Sequence, residues 1–268
     1  MPTPAPRAPL LLPNPIIPHE TANCANSLTS VGKLLVYPAS VRFLRAQPQP
    51  PRNCSPGRKR FCRGLSDQSR RHLRRTLSKV DFPNSHAFFL RFSYPNWLDF
   101  NTASLSRSRE RLRNRLSYHW GSDLLGCLWV LEHLPEQNPH YHLLVFLRPD
   151  SPVDHSIFGV WLAGVWFEVV GSGDLNHLQH GTHVEPLDTS SPGRIISSLT
   201  KSESFSFHAG KVWGKWGHIP LAEPKERLMP SEESVAAFCL QAQAYNPKSE
   251  YLSNISPKWS GFTVYATD

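Results

Sequence analysis

The 268-residue chain has no Cys-x-x-Cys pair, and its five cysteines, at 24, 54, 62, 127 and 239, are odd in number and widely spaced. Short paired spacings are what let a segment grip zinc or staple a small fold, so these thiols read as reduced and non-ligating. No apolar stretch reaches the roughly 18 residues a membrane span requires. Leu10-Leu11-Leu12 is cut off by Pro13 too soon to serve as a secretory core. These absences predict a cytoplasmic protein with no membrane partner. No internal repeat is visible, which excludes solenoids and propellers. Acid is also scarce: 21 Asp and Glu stand against 29 Lys and Arg, a formal net charge of +8. Such a surplus favours an anionic partner, and nucleic acid is the commonest for a basic chain, although a basic tail alone would give the same total.

What is present divides the chain by composition. Residues 1–56 hold 12 of the 25 prolines and read as a Pro-rich, disordered arm, with strand-like apolar content only over 31–43. Residues 57–225 read as the domain, opened by a basic helix. Residues 226–268 read as a helix over 231–245, started by Ser231-Glu232-Glu233, and an irregular tail. The middle alternates strands at 86–93, 125–132, 139–147 and 181–187 with helices at 104–118, 155–168 and 192–202. That order predicts an α+β fold, a central antiparallel sheet with helices packed on it.

Two features of the middle carry chemistry. His140-Tyr141-His142 opens a strand, and side chains two apart point to the same face, so both imidazoles can share one metal ion. The connection Pro135–Asn138 is too short for a crossover, so the flanking strands are antiparallel neighbours and Glu132 lies near His140 across the hairpin. Glu132 is then the third ligand, with Glu136 as its rival. Two ordinary strand histidines remain the bland alternative, since 13 histidines make such pairs common by chance. The second feature is basic. Arg52–Lys79 holds ten Lys and Arg against one acid, Asp67. Ser66 caps a helix there, with Leu73 and Leu77 as an apolar pair four apart. Arg58, Lys59, Arg60, Arg70, Arg71, Arg74 and Arg75 are candidate contacts to a DNA backbone, because guanidinium pairs with phosphate in two-point geometry and releases counterions. A solvated charged face is the competing reading. In the helix 104–118, an apolar stripe of Leu105, Leu112 and Leu116 accounts for the element without a ligand, and Arg107, Arg111 and Arg115 form the opposite stripe.

Three segments in order carry a family resemblance. Trp129, Glu132 and His140-Tyr-His142 keep the spacing of a metal motif in which a Glu stands eight positions before the first His. Gly210-Lys-Val-Trp213-Gly214-Lys-Trp216 is similar to a Gly-Arg-x-Trp-Gly element. His86-Ala-Phe-Phe-Leu-Arg-Phe-Ser-Tyr94-Pro95 is similar to an apolar strand running into Thr-Leu-Thr-Tyr-Pro. Together they resemble, over roughly residues 60–225, the HUH endonucleases, and among them most closely the phage and plasmid rolling-circle replication initiators. The resemblance implies an antiparallel sheet whose central hairpin carries the metal ligands. It also implies a divalent cation, Mg or Mn, held by His140, His142 and Glu132, and nicking and joining of single-stranded or hairpin DNA at a replication origin, alongside host replication machinery.

One departure bears on the chemistry. The family attacks phosphorus with a tyrosine in a Tyr-x-x-Lys pattern on the helix after a strand like His183-Val-Glu-Pro-Leu187. The matching segment, Gly193-Arg-Ile-Ile-Ser-Ser-Leu-Thr-Lys201, contains no tyrosine. With Lys201 as the motif lysine, Ser198 takes the nucleophile's place; in the other register Arg194 does. Arg91 and Ser93 also replace threonines of the first motif, and Leu134 a common glutamine. The catalytic candidates are therefore Lys201, to stabilise developing phosphate charge, and Ser198, whose hydroxyl is harder to ionise than a phenol of pKa about 10. The alternative is a cleavage-deficient DNA-binding protein on the same scaffold. His177, His180 and His183 recur every three residues, but Gly181-Thr182 interrupts a helix, so a loop cluster without ligand role is expected rather than a zinc-stabilised interaction module.

Overall fold

The computed structural model describes residues 31–46, 65–82, 86–95, 101–133, 138–187, 192–200, 210–245 and 261–265. The chain divides into two compact units, one formed by residues 1–51 with 224–267 and the other by 52–223.

In the smaller unit, β1 (Gly32–Tyr37) and β2 (Ser40–Arg45) form a hairpin with Val36 opposite Val41. Part of the arm expected over 1–56 is thus ordered strand; residues 1–30 lie outside those described. Its β-branched and aromatic alternation needed partners remote in sequence, which a local reading could not supply. Those partners were expected to be irregular tail or went unassigned.

The larger unit begins with α1 (Asp67–Leu77), where Ser66 accepts a hydrogen bond from the Ser69 amide as the sequence predicts. Then follow β3 (His86–Ser93), α2 (Thr102–Trp120), β4 (Leu124–Glu132), β5 (His140–Leu147), α3 (His155–Val170), α4 (Leu175–His180), β6 (Thr182–Pro186), α5 (Pro192–Leu199) and β7 (Trp213–Gly217). In the smaller unit the chain closes with β8 (Lys225–Met229), α6 (Glu232–Tyr245) and β9 (Gly261–Tyr265). There the strands form an antiparallel sheet in the order β8-β1-β2-β9, over a core of Leu34, Val41, Phe43, Met229, Val235 and Cys239. Arg45 of β2 pairs with Glu232 at the start of α6.

Five antiparallel strands make the larger unit's sheet, in the order β6-β3-β5-β4-β7. The fold is α+β with antiparallel sheets and helices packed on them, as the element order predicts. Its two faces follow from register, since residues directly opposite across strands point the same way. One face carries Phe88, Leu90, Phe92, Trp129, Tyr141, Leu143 and Val145, all buried. α2 and α3 seal it: the Tyr141 hydroxyl donates to the Leu105 carbonyl at 3.0 Å, the Trp166 indole donates to the Ser93 carbonyl at 2.7 Å, and Phe158 meets Phe88 edge-on. The other face carries Leu128, Val130, Leu144 and Phe146 toward its centre, with Glu132, His140 and His142 at one end. There α1 lies beside β7, its His72 ring 5.4 Å from that of Trp213, and Arg74 donates to the Thr200 hydroxyl just past α5. Among the described residues, no helix is long and apolar enough to cross a membrane.

The expected loop of histidines at 177–183 is different in structure. Residues 175–180 are helical, capped by Asp174 and ended at Gly181. His177 is buried and donates from Nε2 to the Ser93 carbonyl at 2.8 Å, His180 sits near the helix end, and His183 is on β6. A hydrogen bond to remote backbone, invisible in local sequence, gives His177 its place.

Candidate metal centre

Glu132 ends β4 and His140 begins β5, and the two are directly opposite in the ladder. His142 is two residues further along β5 and therefore on the same face. The consequence is a convergence on one atom. Glu132 Oε2 lies 3.0 Å from His140 Nε2 and 2.5 Å from His142 Nε2. The three side chains form the one group of three or more His, Cys, Asp or Glu among the described residues whose donor atoms all fall within 4.8 Å of one another, and that group could hold a metal ion. His140 and His142 are ligands the sequence names, and so is Glu132; its rival Glu136 lies outside the described residues.

The hydrogen bonding fixes which nitrogens are available. His140 Nδ1 lies 3.0 Å from the Asn138 carbonyl, an acceptor, so Nδ1 carries the proton. Nε2 of the neutral ring then presents a lone pair to Glu132 Oε2. Two electron-rich atoms at hydrogen-bond distance call for a positive charge between them, a proton or a cation. A backbone carbonyl that fixes the tautomer and turns the other nitrogen to the site is the usual support for a ligating imidazole. Burial works against charging the His140 ring, but the bond to Glu132, the Asn138 carbonyl and Glu132's charge outweigh it and raise its pKa above the ordinary value. His133, one residue past Glu132, is displaced the other way, by burial and by the nearness of His140.

The site is framed on the same face. The His142 ring stacks on Phe89 of β3 at 5.4 Å and meets the His140 ring edge-on at 5.0 Å. Arg91, opposite His142, is exposed, and its charge is felt at His140. The alternation of β3 puts Phe89 and Arg91 toward the ligands; a register between β3 and β5 was needed to see it. Two imidazoles and one carboxylate leave coordination positions open, the pattern of a catalytic rather than a closed structural site.

The other predicted residues are scattered. Ser198 is exposed on α5, as is Arg194. Lys201, Arg58, Lys59 and Arg60 lie outside the described residues. On α1, Arg71 and Arg75 are exposed, whereas Arg70 is half-buried 3.7 Å from Asp67 and Arg74 is engaged with Thr200. Two buried tyrosines are poor nucleophiles. Tyr141 lies between His140 and His142 but points to the opposite face and is 1% exposed, and burial pushes its phenol up to about 12. Tyr94 is 3% exposed and burial raises it further.

The element Gly210–Trp216 owes its glycines to geometry. Gly210 has φ +71°, a left-handed conformation that side chains rarely adopt. A Cβ on Gly214 would come within 2.9–3.0 Å of the Trp129 ring, which Arg109 covers from 4.3 Å. No protein-family model, curated protein or solved structure significantly matches the chain.

Proposed function

We propose that the chain is a metal-dependent replication initiator of the rolling-circle kind, which nicks and rejoins single-stranded or hairpin DNA at a replication origin. The observation that carries the reading is the convergence of Glu132, His140 and His142 on one point of the sheet's middle strands, with the other His140 nitrogen held by a backbone carbonyl. These three side chains would hold a Mg or Mn ion, which supplies Lewis-acid stabilisation of charge developing on a nonbridging phosphate oxygen. Arg91 adds a positive charge beside the ligands. The chain's own hydroxyl nucleophile in this reading is Ser198: its Oγ gives up its proton to solvent as it bonds to phosphorus, the bond from phosphorus to the 3′ oxygen breaks, and the freed 3′ oxygen takes a proton from solvent. Lys201 would then offset charge on the phosphate.

A second reading follows from a specific observation. α5 carries no tyrosine, and Tyr94 and Tyr141 are buried. A protein that keeps the platform and the basic α1 but binds DNA without cutting it fits those facts. One assay separates the two: labelled single-stranded and hairpin oligonucleotides are incubated with the protein and manganese, and cleaved strands with protein joined to the 5′ end are sought. Product that disappears in His140→Ala and Ser198→Ala supports the nickase. A mobility shift without product, under the same conditions, supports binding alone.

A further inference from the structure

A half-open cleft of about 330 Å³ lies in the larger unit between the first turn of α1 and the edge strand β7, lined by Ser69, Lys211, Trp213 and Lys215 among others. Its chemistry is one-sided. None of the lining residues is acidic, and Lys211 and Lys215 are both exposed. Trp213 is only half-buried, and its ring lies beside the exposed His72, so an aromatic surface lines the cleft together with Lys215, while the Lys211 ammonium lies 5.9 Å from the Trp129 ring. Val212 turns its carbonyl toward β4, accepting from the Leu131 amide at 2.7 Å, so the alternate residues Trp213 and Lys215 turn both their N–H and C=O groups to the open edge.

Position gives the cleft its meaning. Trp213 is opposite Val130, and Val130 is opposite His142. Trp213 and the ligand His142 thus share one face two strands apart, roughly 10 Å along the sheet. Beyond His142 the same row continues to Arg91 and then to His183. An aromatic, a metal-ligand imidazole and an exposed guanidinium therefore stand in one line across the strands.

We infer that the cleft is a subsite for single-stranded nucleic acid, in which one base stacks on Trp213 and a flanking phosphate is neutralised by Lys215 as the strand passes toward the Glu132–His140–His142 cluster. Stacking suits an unpaired strand, because every base offers a π-face and a duplex hides it. The proposal rests on the replication-initiator reading for what happens to the strand at the cluster, but its test does not.

The test measures binding of a fluorescein-labelled oligodeoxythymidylate to the full chain by anisotropy, in EDTA, across a salt series. Trp213→Ala should weaken binding roughly 5- to 150-fold, the worth of one stacked base, and Trp213→Phe should restore most of it. Lys215→Gln should lower the slope of log affinity against log salt by roughly 0.7. With the metal removed by EDTA, metal-dependent cleavage contributes nothing to this affinity. Failure to cut DNA therefore counts against the nickase alone. Equal affinity of Trp213→Ala and the parent, with both folded by circular dichroism, overturns the subsite; so does an unchanged salt slope in Lys215→Gln. Heparin competing as well against the parent as against Trp213→Ala, with no preference for DNA, overturns base stacking in favour of a plain polyanion patch.

Discussion

The two faces of the five-stranded sheet are built from the same strands by alternate residues, yet they are finished differently. On one, Tyr141, Phe92, Trp129 and Leu143 are buried under α2 and α3, where the Tyr141 hydroxyl donates to the Leu105 carbonyl and the Trp166 indole to the Ser93 carbonyl. On the other, apolar packing stops short of the strand ends, and His140 and His142 converge on Glu132. The lesson is that one residue of register separates scaffold from chemistry: Tyr141 is core, and its two neighbours in sequence are candidate ligands.

Four substitutions sharpen or break that comparison. The largest effect should come from the sealed face: Trp166→Ala removes a fully buried indole, and urea unfolding should show a loss of about 3–5 kcal/mol. The open face should respond to metal instead. Manganese at roughly 100 times its dissociation constant should stabilise the parent by about 2.7 kcal/mol, read as a rise in melting temperature, and His142→Ala should show none of that rise. If His142→Ala still gains it, the cluster is not the metal centre. A smaller change tests how α1 is held: Ser66→Ala removes the cap that accepts from Ser69 and should cost about 1 kcal/mol in thermal unfolding. The smallest is Tyr141→Phe, which deletes the hydrogen bond to Leu105 and should cost about 0.5–1.5 kcal/mol while leaving the manganese titration midpoint where it was. A shifted midpoint would mean that the two faces are not independent.

The split between legible and hidden features follows the range of the interactions involved. The helices at α1, α2 and α6 announced themselves through caps and apolar stripes, which are local: Ser66 and the Leu105–Leu112–Leu116 stripe stand where the sequence puts them. The hairpin of β4 and β5 was equally readable, because its connection is short and Glu132 must come back opposite His140. The strands β7, β8 and β9 were not, nor was the assembly of β1 and β2 with two strands more than 180 residues away. Short edge strands such as Trp213–Gly217 contain too few residues for a period of two to stand out, and their pairing energy exists only once the partner is in place.

By itself, the sequence determined which side chains offer metal-binding nitrogens and oxygen, that two of the imidazoles share a face, and that the turn at 135–138 brings a carboxylate back to them, since a strand's alternation and a short connection leave no other geometry. Only the tertiary structure decided that both Nε2 atoms meet the same oxygen, that a carbonyl at Asn138 takes the other His140 proton, and that Trp213 and Arg91 fall in line with His142. Those facts depend on strand order and register across five strands, and register is fixed by packing between segments far apart in the chain, which no local pattern encodes.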